Sequence, residues 1–179
     1  MSQRIFDIVS AVIGVIVFSP LWALMAITIW INDRGAILFK QERLGKDFKP
    51  FGIYKFRTMK DGQVTKPGRW IRKTGLDESL QFLNVLKGEM SLVGPRPITE
   101  KDRKKLNWDK PWLAWRWRVK PGITGFAQIY ESLANKKSLA KDRWDIRYSS
   151  YLKRVTWLFL TILMNVFGKQ KIRTKIGSN

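Results

Sequence analysis

The chain of 179 residues contains no cysteine and no histidine. Those two absences exclude disulfides, thiol nucleophiles, zinc sites built from the usual ligands, and any Ser-His-Asp triad. Nucleophilic or acid–base work therefore falls to carboxylates, lysines, tyrosines or hydroxyls. Carboxylates are themselves scarce: 14 Asp and Glu stand against 34 Lys and Arg, giving a formal charge of +20 and a pI near 10.5. Such an imbalance calls for an anionic partner, whether nucleic acid, anionic lipid or a diphosphate substrate in a charged cleft. Nine Trp and ten Phe suit a lipid headgroup layer, and Trp beside Arg also serves single-stranded nucleic-acid binders, so composition leaves those partners open. Internal repeats and low-complexity segments are lacking as well, and at 45% hydrophobic the chain supports one domain with a core plus a membrane element.

Charge is missing altogether from Ile8 to Ile31. As a helix that run would be roughly 36 Å long, enough for a hydrocarbon core of about 30 Å. Hydropathy alone favours a spanning helix. Against it, Ser19-Pro20 sits mid-run, where proline removes a backbone hydrogen bond and clashes with the carbonyl four residues back, so a break or kink is expected. Two halves of about 18 Å each would dip to mid-bilayer and return to the same face, with the Ser19 hydroxyl satisfying a freed backbone group. Arg4 is the only basic residue ahead of the run, which puts the main domain in the cytoplasm under either topology. The run is too long, and lacks the small-residue site, for a cleaved signal peptide.

Beyond the run, 36–39 and 51–56 read as short extended pieces around a Gly45-Lys46-Asp47 turn, a small hairpin. Leu76, Leu80, Leu83 and Leu86 mark an amphipathic helix over 76–87 whose first turn carries Asp77 and Glu78. Pro95 and Pro97 forbid helix and fix an extended loop presenting Arg96. Trp108, Trp112 and Trp115 fall on one helical face, either a core stripe or an interfacial one. Val155 to Phe167 is apolar with basic flanks but too short to span, and the basic tail Lys169 to Lys175 is a solvated or lipid-facing end.

Asp77 and Glu78 are the only adjacent carboxylates in the chain, and they lie between Arg72 and Arg96. An ionised carboxylate can attack phosphorus to form an acyl phosphate that a second acceptor resolves, which makes Asp77 a candidate nucleophile. On spacing alone, capping of the helix by the same two acids is the stronger reading. An anionic nucleophile approaching an anionic diphosphate needs Mg²⁺, assigned to Asp77 with Glu78 as partner base or second ligand. Lys55 and Arg57 alternate on one strand and would share a face, either as phosphate contacts or as an ordinary charged face. Lys120 to Gly125, followed by Gln128, reads as a turn whose glycines permit close backbone approach to a ligand.

Taken together, Tyr54 to Met59, Arg72 to Glu78, Gly88 to Pro97 and Lys120 to Gly125 resemble the bacterial sugar transferases, specifically the small monotopic phosphoglycosyl transferases, over nearly the whole chain. The resemblance implies transfer of a sugar-1-phosphate from a UDP-sugar to undecaprenyl phosphate with release of UMP, at the bacterial inner membrane. Nucleic acid is then not a partner. It implies that Asp77 is the nucleophile, that Arg72 contacts phosphate, and that Lys55, Arg57, Pro95, Arg96, Pro97 and Gln128 line the substrate site. It also implies a re-entrant helix broken at a Ser-Pro pair, with a basic residue three before an Asp at its start, as Arg4 and Asp7 are here. The expected fold is α+β and mainly helical: a compact membrane-associated domain with a re-entrant helix-break-helix at 1–34, and a cytoplasmic catalytic domain at 35–179 holding a short hairpin and interfacial helices. Three departures stand out: Ser79-Leu80 where members have Leu-Pro, Glu89 where they have Asp, and 129–135, which lacks the family's Asn-rich run. The alternative is a non-enzymatic basic protein of membrane surfaces or nucleic acid; as a nucleic-acid binder it leaves the apolar run and the acid pair unexplained.

Overall fold

The structure, a computed structural model, describes residues 3–125 together with Gln128, Thr156 and Thr161. Residues 129–135 and the 169–175 tail lie outside the described residues, as does most of the apolar 155–167 stretch. The chain opens with α1 (Gln3–Asp33), followed by a hairpin of β1 (Leu38–Leu44) and β2 (Pro50–Phe56). A small antiparallel pair, β3 (Met59–Lys60) and β4 (Gln63–Val64), leads into α2 (Lys66–Thr74). After a 3₁₀ turn over Leu76–Glu78 come α3 (Gln81–Lys87), β5 (Ser91–Val93), α4 (Glu100–Leu106), α5 (Ala114–Trp117) and β6 (Gly122–Thr124). The expected fold, mainly helical with a few short strands, is what the described residues adopt.

Local chemistry explains most boundaries. Thr65 caps α2 by accepting from the Gly68 amide, and Gly75 ends it in the left-handed region at φ 72°. Thr99 and Asp102 form a reciprocal capping box on α4. The hairpin is longer than the sequence reading gave: β1 runs on to Leu44 because its register with β2 holds from Leu38↔Phe56 to Leu44↔Pro50. The helix expected over 76–87 is divided, with residues 76–78 wound as 3₁₀ and the α-helix starting at Gln81. The residue that caps that 3₁₀ turn is Gly75, and the two acids lie within the turn itself.

Helix α1 is where structure and expectation diverge most. It is one helix through Pro20 rather than two. The physical reason is local: a residue at position 20 with an N–H would donate to the carbonyl of Ile16, and the Ser19 hydroxyl donates to that carbonyl instead at 2.9 Å. One stripe of α1, including Phe6, Ala11, Gly14, Met25 and Ile29, packs against the rest of the protein. Gly14 is required there, since a Cβ would sit 2.9 Å from the Phe82 ring. The opposite face exposes Ile13, Ile16, Val17, Leu24, Ile27 and Ile31. Only 17% of its most apolar 18-residue window is buried, which separates α1 from the core helix of a water-soluble fold.

Both ends of α1 are fastened to the same folded body. At the start, buried Asp7 accepts from the Ser91 hydroxyl and the Leu92 amide, while Arg4 donates to the carbonyls of Val85 and Leu86 at the end of α3. At the far end, the carboxylate of Asp33 pairs with Arg57. The core beneath is built from Val85, Met90 and Leu92, all essentially without exposure, and each such side chain stabilises the fold by roughly 1.5–3 kcal/mol.

The tryptophan stripe is not one face. Helix α4 stops at Leu106, so Trp108 turns into the core at 2% exposure while Trp112 stands 71% exposed on a separate 3₁₀ turn. Between the rings of Trp108 and Trp117 lies the buried guanidinium of Arg116, 4.7 and 5.0 Å from the two centroids.

Candidate functional site

A shallow, open cleft lies where β2, the 3₁₀ turn and the loop after β5 meet. Cations from three directions line it: Arg43 from β1, Lys55 from β2 and Arg96 from the loop after β5. Glu78 is the only carboxylate among the residues lining it, and Gln81, Gln128 and Pro97 close much of the rest. An excess of fixed positive charge in a partly dry cleft favours a phosphate-bearing ligand over a neutral one.

Lys55 reaches the site because β2 is stapled to α3. Asn84, fully buried, accepts from the Tyr54 amide and donates to the carbonyl of Gly52 and to Glu89. The neighbouring Lys55 then meets the turn preceding α3, where its ammonium pairs with Glu78 at 2.7 Å. Glu89 keeps its acid in that staple, so the departure from Asp at this position has a structural use.

Asp77 sits half-buried in the same 3₁₀ turn, one residue before the cleft-lining Glu78. The turn is held by α1: Trp22 of α1 donates its indole N–H to the Ser79 hydroxyl at 2.8 Å, and that hydroxyl donates to the Leu76 carbonyl at 2.7 Å. Ser79, the other departure from the family pattern, thus locks the acid turn to α1. Leucine at this position would supply neither bond.

The loop carrying Pro95, Arg96 and Pro97 is fixed on several sides. The Gly94 amide donates to Thr124, the Gly122 amide to Pro95, and the Leu44 amide to Ile98, while Arg116 donates to the Arg96 carbonyl at 2.6 Å. Arg96 itself is half-buried and lines the cleft, as the flanking prolines predicted. A Cβ on Gly122 would fall 2.1 Å from the Gly94 amide nitrogen, so this glycine permits a close approach between β6 and the end of β5. Gln128 seals that junction by donating to the carbonyls of Gly94 and Gly122, and it reaches the cleft from there.

Two further candidates lie apart from the cleft lining. Arg57 follows the last residue of β2 and pairs with Asp33 at the end of α1, and it is not among the residues lining the cleft with Lys55. Arg72, on the last turn of α2, donates its Nε to the Thr58 hydroxyl at 2.7 Å and stays exposed. Sequence reasoning missed Arg43, Gln81 and Asn84. A single Arg in an alternating strand carries no signal, and a buried Asn on a helix shows itself only once the strand beside it is known.

The described residues hold no cluster of three or more Asp and Glu that would cage a metal. Mg²⁺ does not need one, since it is commonly held by one or two carboxylates with substrate phosphates and water completing the shell. The adjacent oxygen donors of Asp77 and Glu78 fit that demand, with Glu78 already engaged by Lys55.

A family model described as "Bacterial sugar transferase" matches residues 1–170. The chain is 40% identical over 190 residues to a protein of Aeromonas hydrophila named UDP-N-acetylgalactosamine-undecaprenyl-phosphate N-acetylgalactosaminephosphotransferase, covering 98% of this chain and 44% of that one. It is 36% identical over 194 residues to an undecaprenyl-phosphate glucose phosphotransferase of Komagataeibacter xylinus, covering 94% and 36%. The chain therefore spans less than half the length of these curated relatives. A shorter relative, the "Uncharacterized sugar transferase EpsL" of Bacillus subtilis (strain 168), is 37% identical over 174 residues and is covered to 85% of its length.

Proposed function

The chain belongs to the bacterial sugar transferase family, and on that premise we propose that it moves a sugar-1-phosphate from a UDP-sugar to undecaprenyl phosphate through a phosphorylated Asp77. The observation carrying this reading is the placement of the acid turn: Glu78 lines a cleft whose other charged residues are Arg43, Lys55 and Arg96, and Asp77 precedes it in the same 3₁₀ turn. A carboxylate oxygen of Asp77 attacks the phosphorus that bears the sugar. The bond from that phosphorus to the bridging oxygen breaks, and UMP leaves with the oxygen. A phosphate oxygen of the polyprenyl acceptor then attacks the same phosphorus, the acyl phosphate bond breaks, and Asp77 is regenerated as a carboxylate. Lys55 and Arg96 bind and orient the donor's phosphates. Asp77, with Glu78 beside it, would hold Mg²⁺, which when bound would offset the charge between nucleophile and donor.

The same reading sets the membrane topology. Helix α1 is about 46 Å long at 1.5 Å per residue, yet Asp7 at its start and Asp33 at its end are bonded to one folded body. On this reading the tethered helix keeps both ends on the body's side of the bilayer, with its exposed Ile and Val side chains toward lipid and the catalytic body on the cytoplasmic side. A lipid phosphate headgroup and a soluble nucleotide can then reach one carboxylate in turn.

The test is Asp77→Asn in protein reconstituted with undecaprenyl phosphate, across a panel of UDP-sugars with Mg²⁺. The expected result is loss of UMP release and of any phospho-sugar trapped on the protein. Turnover by that variant near the wild-type rate would remove Asp77 as nucleophile.

A further inference from the structure

We propose that Arg43 is a phosphate-binding residue of the cleft, acting with Arg96 to hold the diphosphate of the nucleotide donor; this rests on the transferase reading above. Arg43 comes from β1, outside every motif that the sequence singled out, and it lines the cleft beside Pro97 and Arg96. Its guanidinium is only partly used by the protein. Nη2 donates to Gln41 at 2.7 Å, and Nη1 makes a long 3.4 Å contact with the Pro97 carbonyl and stands 3.7 Å from Asp102. Among the described residues, Arg43 Nε is the one buried side-chain nitrogen or oxygen without a hydrogen-bond partner. An N–H buried without an acceptor carries a desolvation cost, so the Arg43 guanidinium is not fully satisfied by the protein alone.

Electrostatics point the same way. Burial lowers the Arg43 pKa; Asp102 opposes that effect, the like charge of Arg96 adds to it, and Glu78 opposes it again. A guanidinium does not lose its proton in a protein, so the strain of two partly buried cations at one cleft is relieved by a dianionic group between them. The planar fork of arginine suits a phosphate's paired oxygens better than an ammonium does. Arg43 is also preset for the role, because the adjacent Leu44 is bridged to Ile98, binding β1 to the loop of Arg96.

The experiment titrates the full chain, purified in detergent, with inorganic pyrophosphate and with UDP in Mg²⁺ buffer, using Arg43→Ala, Arg43→Lys and Asp102→Asn. Thermal melting serves as the folding check. Loss of one charged hydrogen-bonding partner predicts about 30-fold weaker pyrophosphate and UDP binding for Arg43→Ala, while Arg43→Lys keeps the charge and loses about tenfold. Asp102→Asn should stay within about fivefold of wild type, since an exposed ion pair is worth little. Uridine binding should be the same in all four proteins. Three results would overturn the assignment: wild-type protein that binds no pyrophosphate, Arg43→Ala that binds it as wild type does, or Asp102→Asn that loses as much as Arg43→Ala, which would make Arg43 a brace for the loop. Should Arg43→Ala fail to fold, Arg43→Lys decides by the same criteria. UMP release is scored separately: a protein that binds pyrophosphate through Arg43 yet transfers no sugar phosphate keeps this inference and defeats the transferase reading. Normal UMP release with unchanged Arg43→Ala affinity does the reverse.

Discussion

Lys55 and Arg57 stand two residues apart, and each pairs with a carboxylate, yet the two pairs are built for different ends. Asp33 is 4% exposed under Arg57, whereas Glu78 is 33% exposed under Lys55. The first pair closes the far end of α1 onto the body and is shielded from water. The second borders an open cleft where the cations outnumber the carboxylates. Burial, not residue type, separates a structural ion pair from one that can exchange its partner for a substrate phosphate.

The contrast can be broken by substitution at either pair. Arg57→Ala leaves the Asp33 carboxylate buried without its partner, and about 2–4 kcal/mol of stability should go, read as a lower melting temperature in detergent. Unchanged melting would erase the distinction between the pairs. Lys55→Ala should do the opposite, lowering kcat/KM for the UDP-sugar by about 30- to 100-fold with melting close to wild type. A variant that melts early with normal kinetics would make Lys55 structural too. Asp7→Ala tests the other mooring of α1. It leaves the buried Ser91 hydroxyl and Leu92 amide without their acceptor, and a loss of about 1–3 kcal/mol in denaturant titration is expected. The smallest effect belongs to Ser19→Ala, which frees the Ile16 carbonyl: under about 1 kcal/mol in a bilayer-reconstituted melting experiment, with a larger bend in α1 as the structural sign.

How much of this was legible follows from the range over which each feature acts. The Pro95-Arg96-Pro97 loop is contiguous in sequence and lies extended as its prolines require, whereas the acid pair sits in a 3₁₀ turn rather than an α-helix and the apolar run is one helix rather than two. Arg57 was read as a partner of Lys55 because alternation on a strand is a local rule; β2 ends at Phe56, and a carboxylate 24 residues upstream takes the guanidinium instead. The glycines at 94 and 122 showed that something comes close, but not that each is the other's neighbour. Pro20 predicted a broken helix from its missing N–H alone. That the preceding serine would turn its hydroxyl onto the orphaned carbonyl was foreseen only as a feature of the break, whereas it accompanies an unbroken helix. Arg43 could not have been found without the fold, for its importance comes from what surrounds it.

The indole of Trp22 hangs the acid turn from the long apolar helix by way of Ser79. On the proposed membrane topology, the depth at which that helix settles would set the height of the turn, so a thinner or thicker bilayer would move helix and acid pair together.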